Sequence, residues 1–439
     1  MKKTPIFLWI LLYAFASNAF LLIRQTGWWL LPVLGILLYC NLLVGIPMLQ
    51  VHSRRMKICN HGRVMLTVFP ATAILSVIAQ IVLAFTQLPN DPRSYLFSLI
   101  FCIGTQLLLF WNGIGCVYLT SYQLGIKLRV LGVITGMIPL VNLLVLVQII
   151  RVCRKEVDAE QARDLRSRER INKKVCATKY PIVLVHGVFF RDWKNFNYWG
   201  RIPEDLIMHG ATIYYGNHQS ADRVADCAEE LTQRIKQIVQ ETGCEKVNII
   251  AHSKGGLDCR YAIANLGLAP YVASLTTVST PHRGCEFADY LLNKIPQGIQ
   301  NKIATTYNRT LHKLGDPNPD FMGAVRDLTA AACREFDSKT PVPAGIFCQS
   351  IGSIMPTARG GRFPMNFSYH LAEHFDGEGD GLVGETSFRW GEKYTLLRPS
   401  DNRGISHCDI VDMNRENLPN FDVRDFYVAL VSDLRKRGL

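Results

Sequence analysis

The stretch Val247-Asn-Ile-Ile-Ala-His-Ser-Lys-Gly-Gly256 restricts the fold of this chain more than any other. Residues of strand character run into Ala251-His252-Ser253-Lys254-Gly255, and a helical pattern starts at once with Leu257, Tyr261, Ala262 and Leu266. A strand that turns directly into a helix strains the backbone of its turn residue, and bulky side chains two positions away would strike the strand or the helix. Ala251 and Gly255 meet that need, and Gly256 lets the helix lie close to the sheet. Such a turn lifts the Ser253 hydroxyl clear of the sheet edge, where it can serve as a nucleophile.

The surrounding sequence supplies the rest of a sheet. Residues 180–188 open with a fully apolar run, as in a central parallel strand buried on both faces, and the run ends at His186-Gly187. Further strands are expected at 211–215, 275–279, 346–350 and 395–397. Residues 220–241 form a helix with Val224, Cys227, Leu231, Ile235 and Ile238 on one face. Another helix is expected at 423–435. Alternation of strands and helices implies a mostly parallel sheet with helices on both faces. Residues 286–343 interrupt the alternation with amphipathic helical pieces at 287–295, 300–314 and 321–336, an insertion suited to a cap. Leu291, Leu292, Ile295, Ile299 and Ile303 either line an acyl channel or are core.

The first third is different. Apolar runs at 6–23, 27–51, 64–85, 95–120 and 129–150 are each about long enough to cross a hydrocarbon core of about 30 Å as a helix. An α-helical transmembrane bundle of four or five segments is expected over 1–150, a basic linker or surface helix over 151–178, and the sheet-bearing domain over 179–439. Arg54, Arg55, Lys57 and Arg63 put loop 51–63 in the cytoplasm, and Lys2 and Lys3 put the N-terminus on the same side. Five full crossings would leave the most basic stretch, from Arg151 to Lys174, outside. A re-entrant hairpin broken near Gly136 and Pro139 returns it to the cytoplasm. Thirteen cysteines at irregular spacing, with no metal-binding pattern, also favour a reducing compartment.

The formal net charge of +12 is concentrated near the apolar runs, which suits a membrane surface. No zinc-finger or helix-turn-helix pattern accompanies it, so nucleic acid is not an expected partner. A hydroxyl nucleophile needs a base and an acid to orient it. Asp380 sits in Gly379-Asp-Gly-Leu-Val383, with Asp376 and Glu378 as competitors, and His407 is the only histidine after it.

Assembled in order, these pieces resemble the α/β-hydrolase lipases, and most closely the bacterial triacylglycerol lipases. The matching segments are Val185-His-Gly187, Ala251-His-Ser-Lys-Gly-Gly-Leu-Asp258, Ser279-Thr-Pro-His-Arg-Gly284, Gly379-Asp-Gly-Leu-Val383 and Ser406-His407 followed by Asp409. The resemblance implies a catalytic triad of Ser253, Asp380 and His407, with the backbone N–H groups of Val188 and Lys254 as oxyanion donors. It implies no cofactor for the chemistry, and a structural calcium held in part by Asp409, although the family's second calcium aspartate has no counterpart. It does not cover the apolar first third. The implied function is membrane-anchored hydrolysis of carboxylic esters, with lipid acyl esters as substrates and the bilayer as a partner. An acyltransferase, a thioesterase, or a membrane interaction protein with an inactive hydrolase domain would share many of these features.

Overall fold

The protein is described by a computed structural model covering every residue except 1–5, 44, 47, 48, 50, 139, 189–196 and 314. Lys2, Lys3 and Pro139, used above to argue orientation, lie outside the described residues. The chain divides into two compact units, Met1–Arg168 and Glu169–Leu439.

The first unit is helical. Its elements are α1 (Ile6–Ser17), α2 (Phe20–Thr26), α3 (Leu30–Leu42), α4 (Arg54–Gln87), α5 (Pro92–Thr120), α6 (Gly125–Ile134) and α7 (Val141–Asn172). Two of them, α4 and α5, are long and apolar enough to cross a membrane; α1 and α2 make a third span if their 58° bend is counted within one crossing. This is fewer than the five apolar runs suggest. The second run yields only the 13-residue α3, and at about 1.5 Å per residue that falls short of a hydrocarbon core. The fifth run breaks between α6 and α7, around a single 3₁₀ turn. Loop 51–63 is also largely helical, because Ser53 caps α4 by accepting from Met56 N–H.

The polarity of α4 and α5 is inverted relative to a water-soluble bundle. Ile74, Ile78, Ile81 and Phe85 of α4 are exposed, whereas Thr72, Ser76 and Gln80 are buried. On α5, Phe97, Ile100, Ile103 and Leu107 point outward and Ser98, Thr105 and Gln106 inward. The inward groups bond across helices: Gln106 Nε2 donates to Ser76 Oγ at 3.0 Å, and Gln80 Nε2 to Asn18 Oδ1 at 2.9 Å. Polar contacts of this kind join helices where lipid supplies no hydrophobic contrast. The stretch expected as a linker or surface helix continues α7 as far as Asn172, with one face packed and the other exposed. Glu156, Glu160, Arg163 and Asp164 are all buried. Glu156 accepts from Ser121 Oγ at 2.6 Å and from Arg55 Nη1 at 3.0 Å, which offsets its desolvation.

The second unit is a six-stranded sheet, parallel throughout, in the order β2-β1-β3-β4-β5-β6. Its elements in chain order are β1 (Ile182–Val185), α8 (Ile202–Met208), β2 (Ile213–Tyr215), α9 (Val224–Thr242), β3 (Val247–His252), α10 (Lys254–Asn265) and β4 (Val272–Val278). Four helices follow in the region expected to form a cap: α11 (Glu286–Lys294), α12 (Gln297–Lys313), α13 (Phe321–Asp327) and α14 (Ala330–Lys339). The remainder is β5 (Phe347–Ser353), α15 (Met365–Asp376), α16 (Glu385–Phe388), β6 (Lys393–Leu397) and α17 (Val423–Lys436). Alternate strand residues feed two cores. Ile182, Leu184 and Ile250 pack against α8 and α17 through Leu206, Tyr427 and Val431. Val183, Val185 and Ile249 pack against α9 and α10 through Leu231, Ile235 and Ala262. With both faces covered, β1, β3 and β4 are buried along their whole lengths, as their apolar sequences require.

Candidate active site

Every sequence-predicted site residue lies in a connection that leaves the C-terminal end of a strand, the edge at which parallel sheets collect ligands. Ser253 occupies the single position between β3 and α10, with φ 56° and ψ −134°. A non-glycine residue there is strained and must be held by its surroundings. Ser253 N–H donates to Val278 O at 2.9 Å, and its carbonyl accepts from Thr280 Oγ1 at 2.8 Å. The loop after β1 presses against this turn. A Cβ on Gly187 would stand 2.7 Å from Ser253 Cβ, and one on Gly255 would collide with the His186 carbonyl. Only glycine allows that approach, and it leaves Val188 beside Ser253 in the wall of one cavity.

Asp380 and His407 meet although 27 residues separate them: His407 Nδ1 lies 2.7 Å from Asp380 Oδ2. Asp380 is fully buried, and its Oδ1 accepts from the N–H groups of Val383 at 2.9 Å and Leu382 at 3.1 Å. His407 N–H returns a bond to Asp380 O at 2.9 Å. A carboxylate on Nδ1 fixes the tautomer that leaves Nε2 without a hydrogen, the state a general base requires. The competing acids are engaged elsewhere. Asp376 accepts from Glu286 N–H at 2.7 Å at the start of α11, and Glu378 pairs with Arg398 at 2.6 Å on the surface. His407 is carried beside the elbow, its ring 4.5 Å from that of His252.

The cavity at Ser253 measures about 300 Å³ and is lined by apolar side chains almost throughout. The cap contributes Leu291, Leu292, Ile295, Ile303 and Val325, and the Asp380 loop contributes Leu382 and Val383. Of the channel candidates, Ile299 alone is not in the wall; it is 53% exposed. Among the described residues Gln300 is the single polar neighbour apart from Ser253, and its amide is tied to the carbonyls of Leu292 and Ile295, both at 2.7 Å. A site of this character suits a hydrocarbon chain whose carbonyl stops at the serine.

Asp409, the residue implied for calcium, is engaged by neighbouring side chains. Its Oδ2 accepts from Arg403 Nη1 at 2.9 Å, Ser406 Oγ at 2.6 Å and Ser406 N–H at 3.1 Å. A guanidinium thus already neutralises the carboxylate, whereas calcium takes six to eight oxygen ligands. No group of three or more His, Cys, Asp or Glu side chains suited to a metal occurs among the described residues.

Sequence reasoning passed over several neighbours of the elbow. His252 is fully buried and lies 2.5 Å from the Tyr198 hydroxyl through Nδ1. Burial, and then the nearby His407, push its imidazole well below the usual range. Lys254, considered only for its backbone, buries its side chain against Asp258, with Nζ 2.8 Å from Oδ1. Burial opposes the charge on that ammonium, but Asp258 and Cys227 together raise the lysine pKa. The four-residue spacing of Lys254 and Asp258 on one helix was the available signal.

Comparison with known proteins finds similarity to lipases and to a thioesterase family. A family model described as palmitoyl protein thioesterase matches residues 181–315. A triacylglycerol lipase of Pseudarthrobacter phenanthrenivorans is 38% identical over 178 residues, which cover 38% of this chain and 55% of that lipase. Over this region the chain is similar to triacylglycerol lipases. A triacylglycerol lipase of Burkholderia plantarii is also 38% identical over 178 residues, covering 49% of its length. The chain thus spans about half the length of these curated relatives. The crystal structure of Staphylococcus hyicus lipase aligns with 60% of this chain and 98% of its own, at 17% identity and a TM-score of 0.46.

Proposed function

We propose that this lipase-like α/β-hydrolase is a membrane-anchored serine esterase acting on lipid acyl esters. One observation carries the reading: the elbow serine opens onto an apolar cavity, beside a histidine hydrogen-bonded to a buried aspartate. Ser253 Oγ attacks the acyl carbonyl while His407 Nε2 takes its proton. His407 then protonates the departing alcohol, and an acyl-enzyme remains. Water, deprotonated by His407, releases the carboxylic acid and restores Ser253. Asp380 keeps the imidazole oriented and stabilises its charged form. The N–H groups of Val188 and Lys254 receive the oxyanion, and the α10 N-terminus favours the same charge. The outward apolar faces of α4 and α5 support anchoring in a bilayer. Labelling of the full-length protein by a fluorophosphonate, and hydrolysis of p-nitrophenyl esters, test the assignment. Both should vanish in Ser253→Ala; a label retained by that variant would remove Ser253 from the role.

The family model favours a second reading, in which the same nucleophile takes a thioester. Faster cleavage of an S-acyl peptide than of the matching oxygen ester would select it. Transfer of the acyl group to an added alcohol in preference to water would instead select an acyltransferase.

A further inference from the structure

A buried carboxylate beneath the elbow links both loops that supply the oxyanion donors of the proposed reaction. Asp258 stands one turn into α10. Its Oδ1 accepts Lys254 Nζ at 2.8 Å, and its Oδ2 lies 3.4 Å from His218 Nε2. Lys254 directly follows the nucleophile. His218, in the connection after β2, lies flat on His186, with ring centroids 4.3 Å apart and planes 5° apart. His186 Nε2 is also 3.2 Å from the His218 carbonyl, and its Nδ1 is 2.9 Å from the Gly187 carbonyl. His186 and Gly187 open the loop that presents Val188. Asp258 therefore reaches one donor residue directly and the other through two stacked rings.

Lys254, Asp258, His218 and His186 are each no more than 2% exposed. Removing an ion pair from water costs several kcal/mol per ion, and apolar side chains of similar size often stabilise such a position better. Fold stability is thus a weak reason for this pair to sit here. A geometric reason is available: an oxyanion hole works when its donors are fixed before charge develops, and a small displacement of either weakens it.

We propose that Asp258 is a positioning residue for the oxyanion hole, setting the spacing of the Lys254 and Val188 N–H groups through the Lys254 ammonium and the His218–His186 stack. The proposal rests on the serine-hydrolase reading above. Its signature is a defect confined to the transition state. Asp258→Asn, in the full-length detergent-solubilised protein, should lower kcat by about 10- to 100-fold with KM changed by less than about twofold. The inhibition constant of an acyl trifluoromethyl ketone, which forms a tetrahedral oxyanion on the serine, should rise by the same factor. His218→Phe keeps a flat ring on His186 and leaves the ion pair intact, so it tests the link if Asp258→Asn does not fold. It should show a smaller loss in the same two quantities. A folded variant with only a KM change, or with unaltered kcat and ketone affinity, overturns the proposal. Wild-type protein that fails to label with a fluorophosphonate overturns the hydrolase reading instead.

Discussion

His252, beside Ser253, gives the second unit a pH dependence of stability. His252 is enclosed by Tyr198, Trp199 and His407. Burial and then His407 hold its folded-state pKa well below the unfolded value of about 6.5. The unfolded chain therefore takes up the proton first. The stability this group contributes is complete above the unfolded value and is lost as pH falls through the window beneath it. Between about pH 7.5 and about pH 5 the unfolding temperature should drop, and His252→Gln should flatten the drop. An identical slope in the variant would show that its protonation is not what matters. His282, pushed down first by burial and then by Arg260, adds to the wild-type slope but not to the difference.

At the scale of elements, the cap and the loop bearing His407 make separate predictions. Helices α11 and α13 bring Leu291, Leu292 and Val325 into the cavity wall. Leu292→Trp should shorten the space available to an acyl chain. The preference for a dodecanoyl over a butanoyl ester should fall about tenfold or more, since each methylene lost from such a pocket weakens discrimination by about that factor. An unchanged chain-length profile would place the acyl chain elsewhere. The His407 loop is braced by Arg403, which reaches both Asp409 and Glu416. A fixed guanidinium cannot be extracted by a chelator. We therefore expect ester hydrolysis to survive prolonged incubation with EDTA, and Arg403→Met to slow it; loss of activity on chelation, restored by calcium, would contradict this account.

For the whole molecule, the inverted polarity of α4 and α5 predicts that the full-length chain stays in the membrane pellet after an alkaline carbonate wash. Release into the supernatant would identify those faces as contacts for another protein. How far the sequence reached follows the range of the forces involved. The strand-turn-helix at Ser253 and the buried parallel strands were legible because each depends on local pattern: Ala251 and Gly255 beside Ser253, unbroken apolar residues at 182–185. The number of long apolar helices was not legible. Hydrophobicity marks where chain avoids water, whereas bends and breaks depend on how helices meet, so among the described residues five runs yielded two qualifying helices or three. The meeting of Asp380 with His407, the engagement of Asp376 with α11 and the neutralisation of Asp409 by Arg403 were likewise decided only in three dimensions. Composition and spacing name the charged groups, but a buried charge is stabilised only by the partner that tertiary packing carries to within about 3 Å of it.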